Sequence, residues 1–156
     1  MKPTCIPTAA RWQDSGVGTD TIVQICPCYV DLECETGGVS NIVRQLCLQS
    51  ASQGCRVLLI CGDRMLGEIE GKPGLSHPAP GIQRITLAQR RHPLLGPVRQ
   101  LRSALSHVAA PAVAHVHTCF SAFTEAAMEC LDIRGIPFVF TPHGKLSASF
   151  LSRRLV

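Results

Sequence analysis

Thr21-Ile22-Val23-Gln24-Ile25-Cys26 and Arg56-Val57-Leu58-Leu59-Ile60-Cys61, with Gly37-Gly38 and an amphipathic run between them, decide the fold of this chain. The first segment is strand-like and is closed by Pro27. After a mostly polar stretch over 31–36, Val39, Ile42, Val43, Leu46 and Cys47 recur at the spacing of one helix face. Gly54 ends that helix, as a glycine just past a helix C-terminus does. The second segment is almost continuously apolar, which suits a strand covered on both faces.

Outward from this unit the same alternation continues. Residues 62–80, rich in Gly, Pro and charge, read as a loop, and Ile82–Leu87 as a weaker strand. Pro93 and Pro97 precede a helix whose inner side is Val98, Leu101, Leu105 and Val108, broken by Pro111. Val113–His117 is a short strand; Phe123, Ala126, Ala127, Cys130 and Leu131 mark a helix ending at Gly135. Pro137 opens a strand at 138–141, closed by Pro142-His143-Gly144, and Ser147 is placed to cap one more helix. Strands alternating with helices predict an α/β fold: a doubly wound, mainly parallel, Rossmann-like sheet with helices on both faces. Residues 1–20 read as an irregular leader and 21–156 as one domain, which is expected to be incomplete because such sheets often continue past a fifth strand.

Composition narrows the function. With 156 residues, 46% hydrophobic and 17% charged, the chain reads as one globular domain. A net charge of +4 is carried by scattered residues, the densest being Arg90-Arg91, Arg99 with Arg102, and Arg153-Arg154. No run of like charge reaches a nucleic-acid arm, and 4% aromatics leaves little for base stacking. The nine cysteines are odd in number and form no Cys-x-x-Cys pair. Several sit in apolar runs, so they read as reduced thiols packed as small hydrophobes. Cys26-Pro27-Cys28 with Cys34 lacks a fourth ligand, and no metal is expected. No signal peptide or bilayer-length apolar run is present, so a cytoplasmic protein is expected.

In a doubly wound sheet ligands bind outside the carboxyl ends of the strands. Three clusters fall there. Gly37-Gly38-Val39-Ser40 begins the first helix, where backbone amides and the helix dipole favour a phosphate, although a plain turn would also use such a pair. It is neither a Gly-x-Gly-x-x-Gly fingerprint nor a P-loop. His115-Val116-His117-Thr118 ends one strand, with both imidazoles on one side and His117 nearer the ligand edge. Thr141-Pro142-His143-Gly144 ends the next. A lone histidine is usually structural, but two ending neighbouring strands make a ligand-facing role as credible. Zinc would need a carboxylate or thiolate that the spacing does not supply.

Gly-Gly-Val-Ser-Asn-Ile-Val (37–43), Gly54 with Arg56–Ile60, His-Val-His (115–117) and Gly-Ile-Pro-Phe-Val-Phe-Thr-Pro-His-Gly (135–144) occur in order. Together they resemble the amino-terminal, acceptor-side domain of family-4 retaining glycosyltransferases of the GT-B fold, over about residues 21–156. The resemblance implies transfer of a sugar, with retention, from a nucleotide-sugar donor to a glycan or lipid-linked acceptor. It assigns Gly37 and Gly38 to the donor diphosphate, His117 to the reacting centre, and His143, with Thr118 and Ser40 beside these motifs, to the acceptor side. It implies no cofactor, the nucleotide sugar being substrate, and no nucleic acid.

That family's second domain binds most of the nucleotide and carries two glutamates separated by seven residues. The glutamates here, at 33, 35, 68, 70, 125 and 129, do not have that spacing, so the isolated chain is expected to be inactive. Another reading is a non-catalytic module holding a glycan, lipid or partner. A third is an unrelated small nucleotide-binding domain, disfavoured by the missing phosphate fingerprints. Arg99 and Arg102 beside Leu101 and Leu105 allow peripheral contact with the inner membrane face, although a solvated helix face is the simpler reading.

Overall fold

Two runs of β-branched and leucine residues flanking one amphipathic helix make the centre of the sheet. The computed structural model describes residues 20–35, 38–65, 68–88, 96–106, 108, 112–118 and 121–143. In it β1 (Thr21–Cys26) lies parallel to β2 (Arg56–Gly62), with Ile22 beside Val57 and Ile25 beside Ile60. They are joined through α1 (Val39–Ser52), after which Gly54 takes φ 86, a value that strains any residue with a side chain.

Next come β3 (Arg64–Met65), β4 (Glu68–Ile69), β5 (Gly74–Ala79), β6 (Ile82–Leu87), α2 (Gly96–Leu105), β7 (Ala112–His117), α3 (Ala122–Ile133) and β8 (Phe138–Thr141). The main sheet has six strands in the order β5-β6-β2-β1-β7-β8. All its pairings are parallel except β5 with β6. The α/β, mainly parallel architecture expected from the sequence is therefore present. The helix predicted after Ser147 and residues 1–19 of the leader lie outside the described residues.

One expectation fails. Residues 62–80, which read as a loop, contain the short β3–β4 antiparallel ladder and the edge strand β5. Pro80-Gly81, with Gly81 at φ 72, turns β5 back along β6. An edge strand is half solvated and needs no continuous apolar run, and at an edge Pro78 costs no ladder bond, given the register shift between Ser76 and Ala79. β6 is likewise more central than its sequence suggests, with Ile82, Ile85 and Leu87 buried.

Helices cover both faces. On one, Val43 and Cys47 of α1 pack on Val57, Leu59, Cys61 and Ile82. On the other, Leu101 and Leu105 of α2 and Phe123, Ala127 and Leu131 of α3 pack on Val23, Ile25, Leu58, Ile60, Ala114 and Val116. Ser121 caps α3 by accepting from the Thr124 amide at 3.1 Å. Cys26, Cys47, Cys61 and Cys130 are free and buried, and burial pushes the Cys47 thiol up to about 12. They pack as small hydrophobes. No described helix is long and apolar enough to cross a membrane.

The topology places the site. β1 has β2 on one side, reached through α1, and β7 on the other, reached much later in the chain. The strand order therefore reverses between β1 and β7, and in doubly wound sheets ligands bind at the carboxyl ends of the strands flanking such a reversal.

Candidate functional site

Side chains at these strand ends form a staggered ladder. In register, Gln24 of β1 lies beside His115 of β7, and His117 lies beside Thr141 of β8. The hydrogen bonds run diagonally, each to a residue further toward the ligand edge. His117 Nε2 is 2.7 Å from Gln24 Oε1, and His117 Nδ1 is 2.9 Å from His143 Nε2. His115 Nε2 is 2.7 Å from Thr141 Oγ1. The bonded rings of His117 and His143 stack, with centroids 5.2 Å apart, and the His115 ring lies tilted against His117 at 4.0 Å.

His117 is fully buried, and burial pushes it down to about 3, with His115 and His143 adding to the effect. Burial also lowers His115, with a contribution from His143, and burial lowers His143. At neutral pH the cluster is uncharged. What it offers is hydrogen bonding rather than positive charge. Among the described residues, no group of three or more His, Cys, Asp or Glu is disposed to hold a metal ion.

Both strand ends leave ordinary backbone geometry. Thr118 has φ 66 and His143 φ 48; among the described residues these are the non-glycine positions with positive φ. For a β-branched residue the left-handed region is strained, and such strain gathers at functional sites. The Thr118 amide donates to the Thr141 carbonyl at 2.9 Å, which ties the two ends together. Thr118 is 2% exposed, yet its Oγ1 is buried without a hydrogen-bond partner among the described residues. A buried hydroxyl left unmatched costs about 1–3 kcal/mol, and backbone strain of this kind costs about 1–3 kcal/mol more. Thr118→Gly gives up a methyl group and some chain entropy, together about 2 kcal/mol. It is therefore expected to raise stability by about 2 kcal/mol, seen as a higher urea midpoint; a fall of that size would contradict the strain.

The loop from β1 to α1 follows the carboxyl end of β1. Gly38 is the N-cap of α1 at φ 66 and ψ −138, with no side-chain cap and no acidic residue in the first turn. Among the described residues no side chain caps the helix start, and the backbone there suits glycine. Gly37 lies outside the described residues. Ser40 is 4% exposed and its hydroxyl donates to the Tyr29 carbonyl at 3.0 Å, so it braces the loop. Arg84 donates to the Val30 carbonyl at 3.1 Å and Arg44 to the Leu32 carbonyl at 3.1 Å. Arg84 also lies over the Tyr29 ring, 5.2 Å from its centre.

The sequence profile of Glycosyltransferase Family 4 matches residues 36–155. The chain belongs to this family. In this glycosyltransferase family 4 domain the match takes in α1 and every strand from β2 to β8, and it leaves out β1, which carries Gln24. No curated protein and no solved structure matches the chain.

Of the residues singled out from sequence, the structure brings His117, Thr118 and His143 together at the ends of β7 and β8. It places Gly38 and Ser40 at the start of α1. Gln24 was not anticipated as a member of the site, and Thr141, which belongs to the cluster read at 141–144, was not expected to bond His115. Gln24 is the one amide in β1, 3% exposed between Val23 and Ile25, and a polar side chain buried in mid-strand was the available signal.

Proposed function

We propose that this chain supplies the acceptor-side wall of a glycosyltransferase that moves a sugar, with retention, from a nucleotide-sugar donor to a glycan or lipid-linked acceptor. The observation behind this reading is the neutral histidine cluster at the switch point, beside a Thr118 hydroxyl that has no partner among the described residues. Uncharged imidazoles and a free hydroxyl match the hydroxyl groups of a sugar, while the open start of α1 matches a diphosphate.

In this reading Gly37 and Gly38 approach the donor diphosphate, and His143 and Thr118 meet hydroxyls on the acceptor side. Ser40 shapes that side by holding Tyr29. His117, assigned by resemblance to the reacting centre, has both ring nitrogens hydrogen-bonded, so it acts on the reaction through His143. During transfer the bond from the anomeric carbon to the leaving diphosphate breaks and one to the acceptor oxygen forms on the same face. The acceptor proton passes to the departing phosphate oxygen. The protein contributes position and fixed dipoles.

Most of the nucleotide would be held by a second domain. The 156-residue chain alone is therefore expected to show no turnover and no tight nucleotide-sugar binding by isothermal titration; either result would overturn this division of labour. If a protein containing both domains bound glycan but transferred nothing, the binding-module reading would replace it.

Contact with anionic lipid at the inner membrane face rests on Arg99 and Arg102, exposed on α2 while Leu101 and Leu105 of the same helix are buried. Changing both arginines to glutamate is expected to weaken co-sedimentation with anionic vesicles, and unchanged binding removes the idea.

A further inference from the structure

We propose that Gln24 is a positioning residue: it sets the tautomers of His117 and His143 and so leaves a hydrogen-bond acceptor, not a donor, at the ligand end of the cluster. The inference follows from which atoms meet. The Gln24 oxygen facing His117 can only accept, so His117 Nε2, 2.7 Å away, must carry the ring hydrogen. His117 is enclosed and neutral, which leaves its Nδ1 with a lone pair. His143 Nε2, 2.9 Å from that lone pair, must then be the donor. His143 Nδ1 is left bare, and no hydrogen bond joins it to another described residue.

One amide orientation thus sets the polarity of the whole chain. Turning the Gln24 amide over would present its NH2 to His117 Nε2 and move the hydrogen to Nδ1. His143 Nε2 would then accept, and His143 Nδ1 would end as an N–H donor. The two arrangements favour different ligands. With the oxygen inward, the outer nitrogen receives a hydroxyl or ammonium hydrogen and offers nothing to an oxyanion. With the nitrogen inward, it would suit a phosphate or carboxylate. That the incoming group is a sugar hydroxyl rests on the function proposed above; the tautomers themselves do not.

The test is a long-range proton–nitrogen NMR experiment on the imidazoles of the ligand-free 156-residue chain at neutral pH. His117 and His143 are both expected to be protonated at Nε2 and bare at Nδ1; a proton on Nδ1 of either overturns the proposal. Gln24→Met keeps much of the side-chain volume and removes the acceptor. It is expected to convert both His117 and His143 from one tautomer to a mixture, while His115, bonded to Thr141, keeps its own pattern. If His143 is unchanged in Gln24→Met, Gln24 is a packing residue and the proposal fails. Should that variant not fold, the tautomers of the native chain decide alone. No sugar or nucleotide is present, so failure here leaves the glycosyltransferase reading standing. Failure of transfer by a two-domain protein would equally leave the tautomer assignment standing.

Discussion

At pH 4 the folded chain is expected to be about 3 kcal/mol less stable than at pH 7 on account of His117 alone. Burial holds this ring down to about 3, against 6.5 for an unperturbed histidine. Above the unfolded value both states are neutral, and the ring contributes no pH dependence. As the pH falls below it the unfolded chain takes up a proton that the folded chain refuses. Stability drops by about 1.4 kcal/mol per pH unit until the folded value is reached. The titratable groups facing His117 are His115 and His143, both also lowered, so their contributions have the same sign. Urea unfolding at a series of pH values reads the slope directly. His117→Gln keeps a polar side chain that does not titrate, and it should flatten the profile between pH 6.5 and 4. Parallel profiles for the two proteins would mean that His117 titrates in the folded state much as it does in water.

Gly71→Ala is expected to destabilise the chain by about 2 kcal/mol through overpacking. Gly71 does not need an unusual backbone angle; what it lacks is room. A Cβ there would overlap the Tyr29 ring and come within 3.2 Å of Thr86 Cγ2. The Tyr29 ring would have to leave, and with it its contact under the Arg84 guanidinium. The Tyr29 amide donates to the Arg64 carbonyl at 2.9 Å, and its carbonyl accepts from Ser40. A thermal or urea midpoint measures the loss, and a double-mutant cycle assigns its cause. Tyr29→Ala should cost stability by itself, yet in the Tyr29→Ala background Gly71→Ala should cost little. An equal cost in both backgrounds would move the clash elsewhere.

The legible parts of the fold were those with a local signal. Val39 to Cys47 carries a helical period, Gly54 and Gly135 mark helix ends, and Arg56–Cys61 is apolar enough to be central. β5 was not legible because its proline and glycine signal a turn, while its pairing depends on β6 being beside it. The site divides in the same way. The His-x-His period put His115 and His117 on one side of β7, and the turn after β8 brought His143 to the same edge. The partnership of His117 with Gln24 could not be read, since it links residues 93 apart and depends on where the strand order reverses. The backbone strain at Thr118 was equally hidden, because threonine is a residue that normally avoids that conformation.

The two rims of the sheet are unequal. On the β5 side, Pro78 withholds an amide and the shift between Ser76 and Ala79 breaks the repeat a foreign strand would copy. On the β8 side, Phe138 and Val139 are 38% and 58% exposed, and no described strand lies beyond them. The proline rim thus carries a device against strand addition, and among the described residues the β8 rim carries none.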